Sequence, residues 1–393
     1  MKRPAKRVAK SVSQARLSAI KEMAMLSARV EDAASLTWGV PSFRTPAHIR
    51  AAAADALEND TEVGKYALPN GLAALRELAA MRHREKTGTE VDPERNVMIT
   101  AGNMQGMHSL FRVLLEPGDE VVMTDPGFAS HIQQILLCGA TPVPWPLDEQ
   151  AGWGLRIDDL ASRITPRTKA IVLVTPCNPT GTIFGKADLL RLGELAEEHD
   201  LILLIDDPYS EIVYERREAL FNLASEARWL DRIAYLFTFS KIHAMSGWRV
   251  GYLILGDWLR QEVLKVHDAT MICVPRISQV AAIAALSGGD AHVSAFRETF
   301  ARRRALICER LDRLPHVFQY VPPEGAYYVF PRVVADHEDS REFAFRLLEE
   351  ARVTLTPGSA FGPSGENHVR MTFCVDDQTI DKAFDRLERH FGA

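Results

Sequence analysis

The chain has 393 residues, of which 47% are hydrophobic and 25% charged, and a formal net charge of −6. That length exceeds what one hydrophobic core normally serves, so two domains are expected, and the acidic balance argues against a general nucleic-acid binder. Its five cysteines are scattered without a CxxC pair, which disfavours a disulfide framework or a structural zinc and suits a reducing cytoplasm.

The opening run from Met1 to Lys10 is basic, and no acid precedes Glu22. It reads as a frayed soluble arm in preference to a transit peptide or a polyanion-binding tail, because globular patterning follows directly. No apolar run reaches the length of a membrane span, and no secretory apolar stretch follows the N-terminus.

Short apolar runs then alternate with helical patterns, at residues 96–100, 120–125, 170–175, 201–206, 233–240 and 250–255. Apolar residues on both faces are what strands of a buried parallel sheet require, and amphipathic stretches such as 186–199 are long enough for crossover helices. An α/β fold is predicted, with helices on both faces of a mostly parallel central sheet. After Gly288 the texture changes to a long charged helix over 291–314, strand-like segments at 327–330 and 369–373, and a closing helix over 378–390. These form a second, smaller α+β domain, joined by the N-terminal segment. The expected division is 1–46 with the small domain, 47–288 as the large domain and 289–393 as the small domain.

Ligands of open α/β sheets gather beyond the carboxyl ends of the strands, and the polar residues that need explaining fall there. The first run leads into Ala101-Gly102-Asn103-Met104, a glycine turn into a helix N-terminus that suits a phosphate, although a tight turn needs glycine anyway. Phe128 follows the second run and could stack on a planar ring or pack in the core. Asn178 follows the third in a proline-rich turn. The fourth ends in Asp206-Asp207-Pro208-Tyr209. A carboxylate directly after apolar residues needs a cationic partner, and a protonated pyridine nitrogen would serve Asp206. Asp207 reads as a solvated loop acid. The fifth ends on Lys241, with Thr238 and Ser240 before it and Arg249 eight residues after. A partly desolvated amine near a fixed cation has a lowered pKa and can form a Schiff base with a carbonyl. The hydroxyls and the guanidinium suit a phosphate beside it. Together these point to pyridoxal 5'-phosphate (PLP) bound through Lys241.

From about residue 36 to the end, the chain resembles the class I/II aminotransferases of PLP fold type I, the aspartate aminotransferase superfamily. The resemblance rests on Trp38-Gly39 with Thr45-Pro46, Tyr66 with Gly71 and Arg76, Thr100-Ala101-Gly102, Asp125-Pro126 and Asn178 with Gly181. It continues through Asp206 with Tyr209, Ser240-Lys241, Gly247-Trp248-Arg249, Pro323 with Gly325, Pro357-Gly358 and Arg370 with Phe373. It implies that Lys241 carries the cofactor as a Schiff base and shuttles a proton, and that Asp206 pairs with the pyridinium nitrogen. It also implies that Asn178 and Tyr209 bond the ring oxygen and Phe128 stacks on the ring. Gly102, Asn103, Met104, Thr238, Ser240 and Arg249 would hold the phosphate, joined by Tyr66 of the neighbouring subunit in a homodimer with shared sites. Arg370 would clamp the substrate carboxylate, helped by Gly39 and Asn178.

Some positions depart from the family's commonest pattern. His131 stands where many members carry an aromatic, and Met104 where several place a lysine for a second carboxylate. Arg276 is the alternative cation for that task, or a structural arginine. The expected activity is ping-pong transfer of an amino group from an L-amino acid, neutral or aromatic favoured, to a 2-oxo acid. Rivals on the same fold are an oxidase, a cyclase, a carbon–sulfur lyase, a cyclopropane-forming synthase or an aspartate-specific aminotransferase. A PLP-binding regulator is the rival from another class, but the stretch before the resemblance begins is too short for the DNA-binding domain such proteins carry.

Overall fold

The computed structural model describes residues 7–215, 220–335 and 339–392. Residues 1–6 of the basic opening run therefore lie outside the described residues. A seven-stranded sheet is built from β1 (Val97–Thr100), β2 (Glu120–Asp125), β3 (Thr141–Pro146), β4 (Thr168–Val174), β5 (Ile202–Asp207), β6 (Ile233–Thr238) and β7 (Gly251–Ile254). Their order across the sheet is β1-β7-β6-β5-β4-β2-β3. The pairs from β3 to β6 are parallel, and β7 alone runs against both of its neighbours.

Side chains alternate along each strand, and the core divides accordingly. Leu203, Ile205 and Phe237 pack on one face. Leu204 and Leu236 pack on the other, against Phe111 of the helix α1 (Asn103–Leu114). The predicted crossover helix spans Lys186–Glu198 and buries Leu189, Leu192, Leu195 and Ala196 along one face. Truncating one such leucine to alanine in a packed core typically costs about 2–5 kcal/mol.

β3 was not predicted, and its sequence Thr-Pro-Val-Pro-Trp-Pro explains why. Proline cannot donate to a ladder, so three of them argue against a strand. Here the amides of Thr141 and Leu147 donate to Asp119 and Asp125, while the prolines fall on the alternate positions that face away from β2. Only an edge strand can tolerate that arrangement, and β3 is at the edge.

Beyond the sheet, the long helix α2 (Ala291–Asp312) leads to short strands at Tyr328–Val329, Thr356–Pro357 and Val369–Thr372, which pair antiparallel. The closing helix Asp377–Phe391 starts where the Asp376 side chain accepts from the Thr379 amide, and it ends at Gly392 in the left-handed conformation. Its apolar face of Ile380, Ala383, Phe384 and Leu387 shares a cluster with Leu36, Phe300 and Val369. Ala34–Ser35 pairs parallel with Val353–Thr354, and the Thr372 amide donates to the Leu36 carbonyl. The chain near Thr37–Gly39 is thereby laid beside the strand that carries Arg370.

Candidate active site

Strand alternation sends the two acids at the end of β5 in opposite directions. Asp206 accepts a 2.6 Å hydrogen bond from the Asn103 side chain and lies 3.2 Å from His131 Nε2. Asp207 takes a 2.5 Å hydrogen bond from the Tyr235 hydroxyl and another from the Ser210 amide. It is the last residue of β5, only 2% exposed, and burial raises its pKa above the usual carboxylate range. The expectation of a solvated loop acid at Asp207 is therefore corrected: the strand runs one residue further than its apolar pattern.

Lys241 follows β6, partly buried, and its ammonium donates to the Gly39 carbonyl at 3.0 Å. Burial lowers its pKa to about 8, helped by Arg370 and Arg249 and opposed by Cys374 and Asp206. Thr238 Oγ1 donates to Ser240 Oγ at 2.9 Å and accepts from the Ser240 amide. Arg249 has a left-handed backbone, φ +51°, and donates to the Ala101 and Ser246 carbonyls. Gly102, φ +76°, caps α1, and a Cβ there would lie 2.7 Å from the Arg249 guanidinium. Glycine at this position lets the Arg249 guanidinium lie against the start of α1, and a guanidinium beside the free amides of a helix start is suited to a phosphate. Asn103 Oδ1 is buried nearby without a hydrogen-bond partner among the described residues.

Arg370 is 1% exposed. It donates to Asn178 Oδ1 at 3.1 Å and to the Thr37 carbonyl, neither of which neutralises its charge, and among the described residues Nε has no partner. A buried guanidinium held by neutral groups is a receptor for an anion, and its planar fork matches a carboxylate. The Asn178 turn is pressed against the C-terminal part of the molecule, since a Cβ on Gly181 would lie 2.4 Å from Pro323. The hydroxyl of Tyr209 meets that of Tyr328 at 3.0 Å, and burial holds the Tyr209 phenol well above its usual pKa. Phe128 stands at the start of the helix Ala129–Leu137, its ring edge-on to His131 at 5.1 Å.

Lys241, Asp206, Asn103, Tyr209, Asn178, Arg370, Gly39, Gly102, Thr238, Ser240 and Arg249 thus lie in one contiguous neighbourhood. Tyr66 is 79% exposed, and Met104 is 37% exposed in the first turn of α1. Arg276 forms an ion pair with Asp60 at 2.9 Å and so has a partner within the chain. Sequence reasoning did not single out Tyr328, Thr37 or Cys374, and noted His131 only as a departure. The second tyrosine beside the Gly325 turn and a histidine one helical turn beyond Phe128 were the available signals.

Three comparisons bear on this site. The family profile described as Aminotransferase class I and II matches residues 31–387. An aspartate aminotransferase of Pyrococcus abyssi is 33% identical over 95% of each chain, and an aromatic-amino-acid aminotransferase of Thermococcus litoralis is 33% identical over the same shares. The solved aspartate aminotransferase of Thermus thermophilus with maleate superposes with a TM-score of 0.92 at 31% identity, covering 98% of this chain and all of that one. With matches of this extent around a lysine–aspartate–arginine site, the chain belongs to the class I and II aminotransferases and is a transaminase.

Proposed function

We propose that this transaminase moves the amino group of an L-amino acid to a 2-oxo acid in two half-reactions, using PLP held by Lys241. The observation that carries the reading is the meeting of a lysine of lowered pKa with a buried arginine whose partners are neutral. The residues fit the cofactor. The Gly102 hollow, Asn103, Met104, Thr238, Ser240 and Arg249 would hold its phosphate, and Asp206 its ring nitrogen. Asn178 and Tyr209 would bond its phenolic oxygen, and Phe128 would cover the ring. When bound, PLP supplies an electron sink for the substrate's α-carbon that no side chain provides.

Lys241 Nζ would take the proton from the substrate's α-carbon and pass it to the cofactor's C4′, a task suited to an amine whose pKa burial lowers to about 8. Arg370 clamps the α-carboxylate in two-point fashion with help from Asn178 and the Gly39 backbone. Trp38, Tyr66 and Leu68 are exposed in the single chain, which supports a homodimer in which Tyr66 reaches the phosphate of the neighbouring site. In this reading residues 47–288 form the large cofactor-binding domain, and 1–46 with 289–393 the small one. A cytoplasmic setting agrees with five free cysteines. Among the described residues no helix is long and apolar enough to cross a membrane.

The relatives' names divide between aspartate and aromatic amino acids. Met104 offers no cation and Arg276 is engaged by Asp60, which supports a neutral or aromatic donor here. Borohydride reduction of the PLP-loaded protein, followed by peptide mapping, tests the reading: the adduct should map to Lys241. An adduct on another lysine, or no conversion of the bound cofactor by any of alanine, phenylalanine, methionine, arginine or aspartate, would refute it.

A further inference from the structure

Tyr328 sits on the short strand Tyr328–Val329, just after the Gly325 turn, and is 2% exposed. Its hydroxyl meets the Tyr209 hydroxyl at 3.0 Å. Its ring face lies 4.3 Å from the guanidinium carbon of Arg370, close enough for a cation–π contact in a desolvated setting. The same hydroxyl presses on Gly39, where a Cβ would come within 1.9 Å of it. Gly39 in turn accepts from Lys241 Nζ and from the Tyr327 hydroxyl. One side chain therefore touches the phenol beside the cofactor ring, the guanidinium that awaits a carboxylate, and the backbone that receives the lysine.

We propose that Tyr328 is a positioning residue that sets Tyr209 and Arg370 together, through its hydroxyl and its ring face respectively, so that cofactor ring and substrate carboxylate are recognised in one fixed relation. This rests on the reading of the site given above. The two contacts are chemically separable. The hydroxyl belongs to a buried group with the hydroxyls of Tyr209 and Tyr327, and removing it leaves Tyr209 without that partner. The ring face holds a planar cation that, among the described residues, has no carboxylate contact to orient it. Gly39 follows from the same placement, because any side chain there would displace Tyr328.

The test uses PLP-loaded wild type, Tyr328→Phe, Tyr328→Leu, Tyr209→Phe and the Tyr209→Phe/Tyr328→Phe double variant, with thermal unfolding as the folding control. Three quantities are measured: the pH midpoint of the bound cofactor's absorbance change, kcat and KM for L-phenylalanine, and the dissociation constant of 3-phenylpropionate, a carboxylate without an amine. Tyr328→Phe should move the spectral midpoint and lower kcat about three- to tenfold, with 3-phenylpropionate binding as in wild type. Tyr328→Leu should in addition weaken 3-phenylpropionate and raise KM by about threefold or more. The double variant should lose less kcat than the product of the single losses. A wild-type spectral midpoint in Tyr328→Phe, or multiplicative losses in the double variant, would overturn the hydroxyl role. Unchanged 3-phenylpropionate binding in Tyr328→Leu would overturn the ring role. A wild-type protein that neither binds PLP nor responds to any amino acid would instead overturn the functional reading itself, and this assignment with it.

Discussion

The floor of the site and its rim are built on different terms. On the floor, Lys241, Asp206, Asn178 and Arg370 are held by contacts made within one chain: a carbonyl for the lysine, Asn103 and His131 for the aspartate, and Asn178 and Thr37 for the arginine. At the rim, Trp38 and Tyr66 are 60% and 79% exposed, Met104 is 37% exposed, and Arg276 answers to Asp60. Chemistry common to all transaminases needs a desolvated, pre-oriented floor, because burial is what lowers the lysine pKa and sharpens a guanidinium for its anion. On the proposed reading, discrimination between amino-acid side chains falls to the exposed rim, which a homodimer would complete.

If that division holds, changes on the floor cost far more than changes at the rim. Lys241→Ala should abolish nearly all turnover, checked by single half-reactions with each donor. The same lysine makes the floor sensitive to pH. Its folded pKa, about 8, lies below the unfolded value of 10.5, so folding penalises the protonated form. The penalty is complete below about pH 8 and fades as pH rises towards 10.5. The Lys241→Met apoprotein should therefore be more stable than wild-type apoprotein at neutral pH, with the gap closing across that window in denaturant titrations. PLP uptake by wild type should accelerate up to about pH 8 and then level off.

Asp206 and Asp207 give a control within one strand. Asp206→Ala should retain some PLP but slow α-proton removal by orders of magnitude, measured by a slower half-reaction whose α-deuterium isotope effect is fully expressed. Asp207→Asn should leave the half-reaction rate close to wild type and cost about 1–3 kcal/mol of stability, because its bonds to Tyr235 and Ser210 stay inside the protein. Comparable rate losses for both would dissolve the distinction between a working face and a structural face of β5.

The same pair shows what could be read before the fold was known. Apolar runs located six of the seven sheet strands to within about two residues, because strands buried on both faces leave an unbroken apolar signal. β3 was hidden by prolines that only an edge position reconciles. Of the C-terminal strands, Tyr328–Val329 and Val369–Thr372 fall within the expected segments 327–330 and 369–373, while Thr356–Pro357, two residues long, is too short for a period to register. Asp206 stood out because it ends an apolar run, yet its distinction from Asp207 depends on which face meets Asn103. Contacts such as Tyr328 on Arg370 or His131 on Asp206 join residues far apart in the chain, so no local pattern announces them.

Arg370→Lys comes next in size. It preserves charge but removes the planar two-point fork, so KM for the amino acid should rise about ten- to a hundredfold, with a smaller change in kcat. A wild-type KM would remove Arg370 from the carboxylate position and leave its neutral surroundings without an explanation.

The smallest effect is expected at Arg276, and it bears most directly on the rim. The Arg276 side chain is about one-quarter exposed and paired with Asp60, so its loss should cost at most about 1 kcal/mol of stability. Its guanidinium is engaged and Met104 supplies no charge, so Arg276→Ala should alter kcat/KM for phenylalanine and for aspartate by less than about threefold. Met104→Lys should instead raise relative activity towards aspartate, since it places an ammonium at the start of α1, where several members of the family carry a lysine for a second carboxylate. Specificity constants for both donors in wild type and the two variants decide the matter. A wild-type preference for aspartate that Arg276→Ala abolishes would mean that Arg276 leaves Asp60 to meet a second carboxylate, and the rim would then select charge after all.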